Sequence, residues 1–412
     1  MPDLPGRIWR KILAGLFSCL ACVAQADDGF PAVQLHGFGT LGISCFSSRE
    51  ADFVYDLLPN GPGRTRRCDV GTDSLLGVQT DVQPVDALTA SLQIISQRSP
   101  RSSTFRPDVQ LANLRWQIND AWWLRLGRVN NPMFIESDYR LVRHALTGAR
   151  TPSEVYGMSP TYQMDGLDTS YRFVVSGWRG ELYGGIHTND IKTRNSNSQA
   201  ISVYSVRDIR TVTLSGERGP WTLKAGYNTD RVFYADPRTD LLFDLLRRLG
   251  ASSLADNLTL NNTAVRILSA SVRYDDNDWQ VQSEVVRRHF EDSYFRDAWA
   301  AYLTVGRRLG LWMPHVTLAR RQTSGRTVDP RAPAFLASYV SDLLTATRYD
   351  QRSLTLGVSR EIGKNMSGKL QVQWIRPDKN AWGNVLTNFS PSYDPSSPLR
   401  GVLVSANLDF LF

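Results

Sequence analysis

The chain has no long apolar run after Val23, so no later segment reaches the ~20 apolar residues a membrane-spanning helix needs. A mean hydropathy of −0.29 agrees, and together these exclude a helical membrane protein. Cysteine is scarce: there are four, and Cys19 and Cys22 fall within an N-terminal leader. Five histidines, His36, His144, His187, His289 and His315, are scattered singly. None sits in the Ser or Asp setting of a hydrolase or the Cys and His spacing of a metal site. The sequence therefore gives no support to an enzyme, a metal site or a bound cofactor. It also lacks any linker, low-complexity tract or short-period repeat, although a soluble chain of 412 residues would normally divide into domains.

What is present starts with an address. Arg7, Arg10 and Lys11 precede an apolar run from Ile12 to Val23, and Ala24-Gln25-Ala26 offers a small-x-small cleavage site before Asp27. Residues 1–26 read as a secretory signal peptide and 27–412 as one exported unit. The net charge of +7 would suit a nucleic-acid binder, but export removes that partner. An anionic partner outside the cytoplasm remains, either lipopolysaccharide or a permeating anion. Export also carries Cys45 and Cys68 into an oxidising compartment where the pair can form a disulfide across the first outer loop, each lying just beyond a strand end.

The mature sequence alternates at period two. In the last stretch, Val402, Val404, Ala406, Leu408, Phe410 and Phe412 share one face, while Ser405, Asn407 and Asp409 share the other. The first strand, near Val33 to Ser44, sets Leu35, Leu41 and Ile43 outward against Gln34, His36 and Thr40. About sixteen such segments follow one another, each near the ~10 residues of a tilted membrane strand. They are joined alternately by tight turns, such as Pro84-Val85-Asp86, Asn119-Asp120 and Ser176 to Gly180, and by long links. This sorting of loop lengths suits a barrel with short turns on one side of a membrane and long loops on the other. Trp122, Trp123, Trp178, Trp221, Trp279 and Trp312 all lie in or beside a tight turn, as an interfacial aromatic girdle requires. The expected fold is all-β, a transmembrane antiparallel β-barrel of about 16 strands.

With its exported start, terminal Phe412 and the run Leu124-Arg125-Leu126-Gly127-Arg128 leading into a long third loop, the mature chain resembles the Gram-negative outer-membrane general porins along nearly its whole length. The Pro-Glu-Phe-Gly-Gly run of enteric porins is absent; Pro132-Met133-Phe134 is its nearest match. The resemblance implies a water-filled channel for passive diffusion of small hydrophilic solutes and ions, set among outer-membrane lipids and lipopolysaccharide. It also implies a homotrimer and a third loop, here Asn130 to Asp165, folded inward to narrow the pore.

Such a channel filters by charge, so inward and loop charges are its candidate constriction. Glu136 and Asp138 supply an acidic side. Arg115 and Arg125 face inward on adjacent strands, with Arg172, Glu284 and Arg288 on later ones, and Arg140, Arg143, His144 and Arg150 add positive charge to the third loop. The competing role for each is a solvated charge or a salt bridge that props the loop against the wall. The arginine excess points to anion preference. Two outer segments, 240–249 and 335–344, carry leucines and aromatics at helical spacing and are candidate mouth helices, as a gate or a partner surface. The alternative function is a surface-binding barrel, an adhesin or receptor that uses its long loops.

Overall fold

The computed structural model describes residues 32–194, 201–397 and 399–412, so the signal segment 1–26 lies outside the described residues. Sixteen long strands form the wall. The first eight are β1 (Ala32–Phe46), β2 (Leu75–Val85), β3 (Leu88–Arg98), β4 (Phe105–Gln117), β5 (Trp122–Asn130), β6 (Gln163–Val175), β7 (Trp178–Arg194) and β8 (Ile201–Arg218). The others are β9 (Trp221–Ala235), β10 (Thr263–Asp275), β11 (Trp279–Phe290), β12 (Ala298–Arg307), β13 (Trp312–Thr323), β14 (Gln351–Gly363), β15 (Met366–Pro377) and β16 (Gly401–Leu411). Every strand pairs antiparallel with its neighbour in sequence. The sheet closes because β1 pairs with β2 over Ala32–Thr40 and with β16 over Phe38–Phe46. Closure leaves no edge with unpaired backbone groups, which a lipid environment requires.

The alternation read from the sequence is the inside and outside of this wall. Leu35, Leu41, Ile43 and Val404 are exposed, whereas Thr40, Ser44, Ser405, Asn407 and Asp409 are buried. A protein with apolar groups outside and polar groups buried is built for lipid around it and for contents within its lumen. Strands run further than their apolar alternation suggested. Pro84 and Val85 belong to β2, where a register shift between Val82 and Val85 accommodates a residue without an N–H, and the turn is 86–87. Ser176 and Gly177, both at positive φ (50° and 79°), make a two-residue hairpin turn, so Trp178 to Gly180 already lie in β7. Trp122, Trp221, Trp279 and Trp312 are exposed beside their turns. Trp123 is the exception: adjacent strand residues face opposite sides, and it points inward, buried against Tyr183.

The closing seam depends on glycine. A side chain at Gly37 would lie 2.2 Å from the ring of Phe412, and one at Gly39 would lie 2.4 Å from the ring of Phe410. The two rings cover bare backbone, and Gly37 and Phe412 exchange backbone hydrogen bonds of 2.7 and 2.9 Å. Cys45 and Cys68 form a disulfide. Cys45 lies within β1 rather than beyond its end, directly opposite Cys68.

Four α-helices occupy the described loops: α1 (Ser153–Tyr156), α2 (Pro237–Arg248), α3 (Ser252–Leu258) and α4 (Ala337–Ala346). The two expected mouth helices are α2 and α4, and both pack with α3. Leu246, Leu254, Val340 and Leu344 are buried in one cluster with Phe243 and Tyr294, while Leu241, Phe335 and Tyr339 stay exposed.

Candidate pore constriction

Between β5 and β6 the chain turns into the lumen, and polar groups of the wall receive it in order. Lys224 on β9 donates to the Phe134 carbonyl at 3.1 Å, and the Ser269 hydroxyl on β10 donates to the Met133 carbonyl at 2.9 Å. Glu284 on β11 is the central acceptor. It takes the Ile135 N–H at 2.9 Å and the hydroxyls of Tyr156 at 2.9 Å, Ser271 at 2.6 Å and Tyr302 at 2.6 Å. Further along, Glu154 accepts from Gln351 and Ser353 on β14, and Lys369 on β15 donates to the carbonyls of Arg143, Leu146 and Gly148. Arg150 completes the circuit with two bonds to buried Asp73, at 3.0 and 2.6 Å, and one each to Ser44 and Ser405. Apolar packing adds Met133, Phe134, Val155, Tyr156 and Met158 against Ile267, Val286 and Tyr302. Buried charge of this kind is stable only when its donors and acceptors are satisfied.

The candidate residues divide between this pinned loop and the wall opposite. Arg140 is buried, 2.7 Å from Asp56 and stacked 3.7 Å over Tyr162. Arg143 is buried and donates to the Ala149 carbonyl at 3.0 Å. Glu136 is buried 3.4 Å from Arg273, and burial pushes its carboxyl up to about 7 against the opposing pull of that guanidinium. His144 meets the Ser367 hydroxyl at 3.0 Å. Asp138 alone among the loop acids named is exposed, within electrostatic reach of Arg125.

Across the opening, Arg115 on β4 stands opposite Arg125 on β5, with Arg172 on β6 and Asp81 on β2 close by. Arg125 makes a forked pair with Asp168 at 3.0 and 2.9 Å, and Arg128 makes another with Asp165 at 2.7 and 2.8 Å. Arg172 lies 3.9 Å from Glu181. In the Arg125 pair the guanidinium is 24% exposed and the carboxylate 1%, so the cation is the member that reaches the lumen.

Sequence reasoning did not pick out Lys369, Asp73, Arg128 or Arg273. For Lys369 a signal existed, since Lys369, Gln371 and Gln373 alternate with Leu370, Val372 and Trp374. Asp73 carried none, because its partner Arg150 is brought to it only by the folded third loop.

No family model matches the chain, and no curated protein matches its sequence. Solved structures do match its fold. An anion-selective porin from Comamonas acidovorans is 10% identical, with a TM-score of 0.56 over 93% of this chain and 100% of that one. OmpF of Salmonella typhi, in complex with daunomycin, is 12% identical at a TM-score of 0.54, over 94% and 99%. The outer-membrane channel DcaP of Acinetobacter baumannii is 9% identical at 0.55, also over 94% and 99%. At such identities the likeness is one of fold. The chain is a closed 16-strand antiparallel β-barrel with the fold of these porins.

Proposed function

We propose that the protein is a non-enzymatic outer-membrane channel for small hydrophilic solutes and ions, with a preference for anions. One observation carries the reading: the third loop is fastened to one side of the lumen, and its exposed Asp138 faces a wall where Arg115, Arg125 and Arg172 cluster. In a narrow opening such charges are weakly screened, and the wall presents guanidinium ends while the Asp168 carboxylate is buried. The basic wall and Asp138 set the selectivity; Arg140, Arg143 and Arg150 hold the loop in place.

Outward arginines near the loop end give the membrane side of this proposal. Arg320, Arg352 and Arg376 lie side by side on β13, β14 and β15, with Asp378 as the carboxylate near the first two. Like charges directly opposite repel, so the row suits the phosphates of lipopolysaccharide. Reconstitution into planar bilayers tests the channel. Steady ohmic current with an anion-directed reversal potential under a salt gradient is expected. A sealed barrel without current would favour a surface-binding role for the packed α2, α3 and α4.

A further inference from the structure

Two charged groups on the pinned side of the lumen touch the third loop but keep donors to spare. Arg288 on β11 and Arg321 on β13 are buried, and among the described residues neither has a carboxylate within ion-pair distance. Each makes one hydrogen bond, to the Met158 carbonyl at 3.0 Å and the Gly157 carbonyl at 3.3 Å, and the Nε of each has no partner. Arg296 shows the contrast, since it is also buried without a carboxylate but donates to three carbonyls. Three of the acids around the pair are engaged elsewhere. Glu154 is taken by Gln351 and Ser353, Asp350 by Thr323 and Arg348, and Asp297 by His289 and the Phe290 N–H.

Both guanidiniums line one cavity of about 370 Å³ between the tip of the third loop, the first loop and the wall. The rest of the lining is largely apolar and aromatic, including Ile267, Phe295, Tyr204 and Leu386. Arg288 lies 4.8 Å over Phe290 and Arg321 lies 5.1 Å over Tyr349, so rings present the cations to the space. Asp230 also lines it, with one oxygen held by Asn228 at 2.8 Å and the other without a partner. Concave apolar space of this size with a few convergent polar groups is how small-molecule sites are built. Cations buried in it without a carboxylate are costly unless an anion completes them.

We propose that this cavity binds an aromatic carboxylate. The carboxylate meets the free donors of Arg288 and Arg321, the ring packs among the apolar and aromatic side chains, and a hydroxyl on the ligand donates to Asp230. Asp230 also disfavours a second negative charge on the ligand. The site requires the folded barrel and not ionic conduction, so its failure and that of the channel reading are separable.

Calorimetry on the detergent-solubilised full chain, with 4-hydroxybenzoate as the probe, tests it. Saturable binding is expected, weakened about tenfold or more in Arg288→Met and in Arg321→Met, since each loses charge-assisted hydrogen bonds. Benzoate, lacking the donor for Asp230, binds several-fold more weakly; 4-hydroxybenzamide and inorganic phosphate do not compete. Heat-modifiable gel mobility verifies folding of each variant. Removing an uncompensated buried charge should leave the melting point equal or higher, whereas a purely structural arginine would lower it. Arg321→Lys keeps the charge without the fork and is expected to lose affinity several-fold in a folded barrel. Absence of binding, equal binding of the amide, displacement by phosphate, or unchanged affinity in the variants would each overturn the proposal.

Discussion

Two arcs of one wall carry inward charge and use it differently. From β9 round to β16 and β1, wall groups such as Glu284, Lys369 and Ser405 end on the third loop, buried and satisfied. On the opposite arc Arg115, Arg125 and Arg172 keep part of their surface in the lumen, and the carboxylate partners of Arg125 and Arg172 come from neighbouring strands. Inward direction is the same on both arcs, and Arg288 and Arg321 put arginine on the covered one too; what differs is whether a loop arrives to cover them. An inward arginine thus faces the open lumen only where the loop leaves it uncovered.

The sharpest way to break this contrast is to release the loop. Glu284→Ala removes the acceptor for one N–H and three hydroxyls, and hydrogen bonds to a charged group contribute about 1.5–3 kcal/mol each. Single-channel conductance should rise several-fold as the loop leaves its seat, with a lower melting point in detergent. Unchanged conductance would show that the loop does not set the opening.

A smaller effect is expected on the open arc. Arg115→Ala and Arg125→Ala should each move the reversal potential towards zero, with conductance changing less than twofold. Arg115, which has no ion pair among the described contacts, should cost stability no more than about 0.5 kcal/mol. If both variants keep the anion preference of the parent, the filter lies elsewhere.

The smallest effect comes from pH. Because burial holds the Glu136 carboxyl near 7, it is protonated and neutral below that pH and gains charge above it. Anion preference should therefore weaken modestly between pH 6 and 8, and Glu136→Gln should flatten that dependence. The linked stability has a matching sign: the folded chain keeps a proton that the unfolded chain releases, so this contribution is fully present below the usual carboxylate range and is lost as pH rises through about 7. A titration identical in the Gln variant would remove Glu136 from the filter.

Much of the fold was legible because lipid and lumen impose opposite demands at every second residue. Leu35 against Thr40, or Val404 against Ser405, carries that signal locally. Strand ends were less legible, since beyond the apolar belt a strand continues without needing apolar side chains, as at Trp178 to Gly180 and Pro84. The site divided in the same way. Arg115 and Arg125 could be placed from strand parity, but nothing in the neighbourhood of Arg140 or Arg150 announces Asp56 or Asp73, which lie 84 and 77 residues away in sequence. Pairing across that distance belongs to the tertiary fold.

The seating of the third loop also sets an order of events. Its fastenings reach forward in sequence by 149 residues from Ile135 to Glu284, 222 from Ala149 to Gln371 and 255 from Arg150 to Ser405. A contact cannot form before both its partners exist in place, and closing such long separations is slow. The loop therefore has no complete seat until β16 has joined β1. A barrel still zipping up is a wide hoop, and its narrow waist is the last thing it acquires.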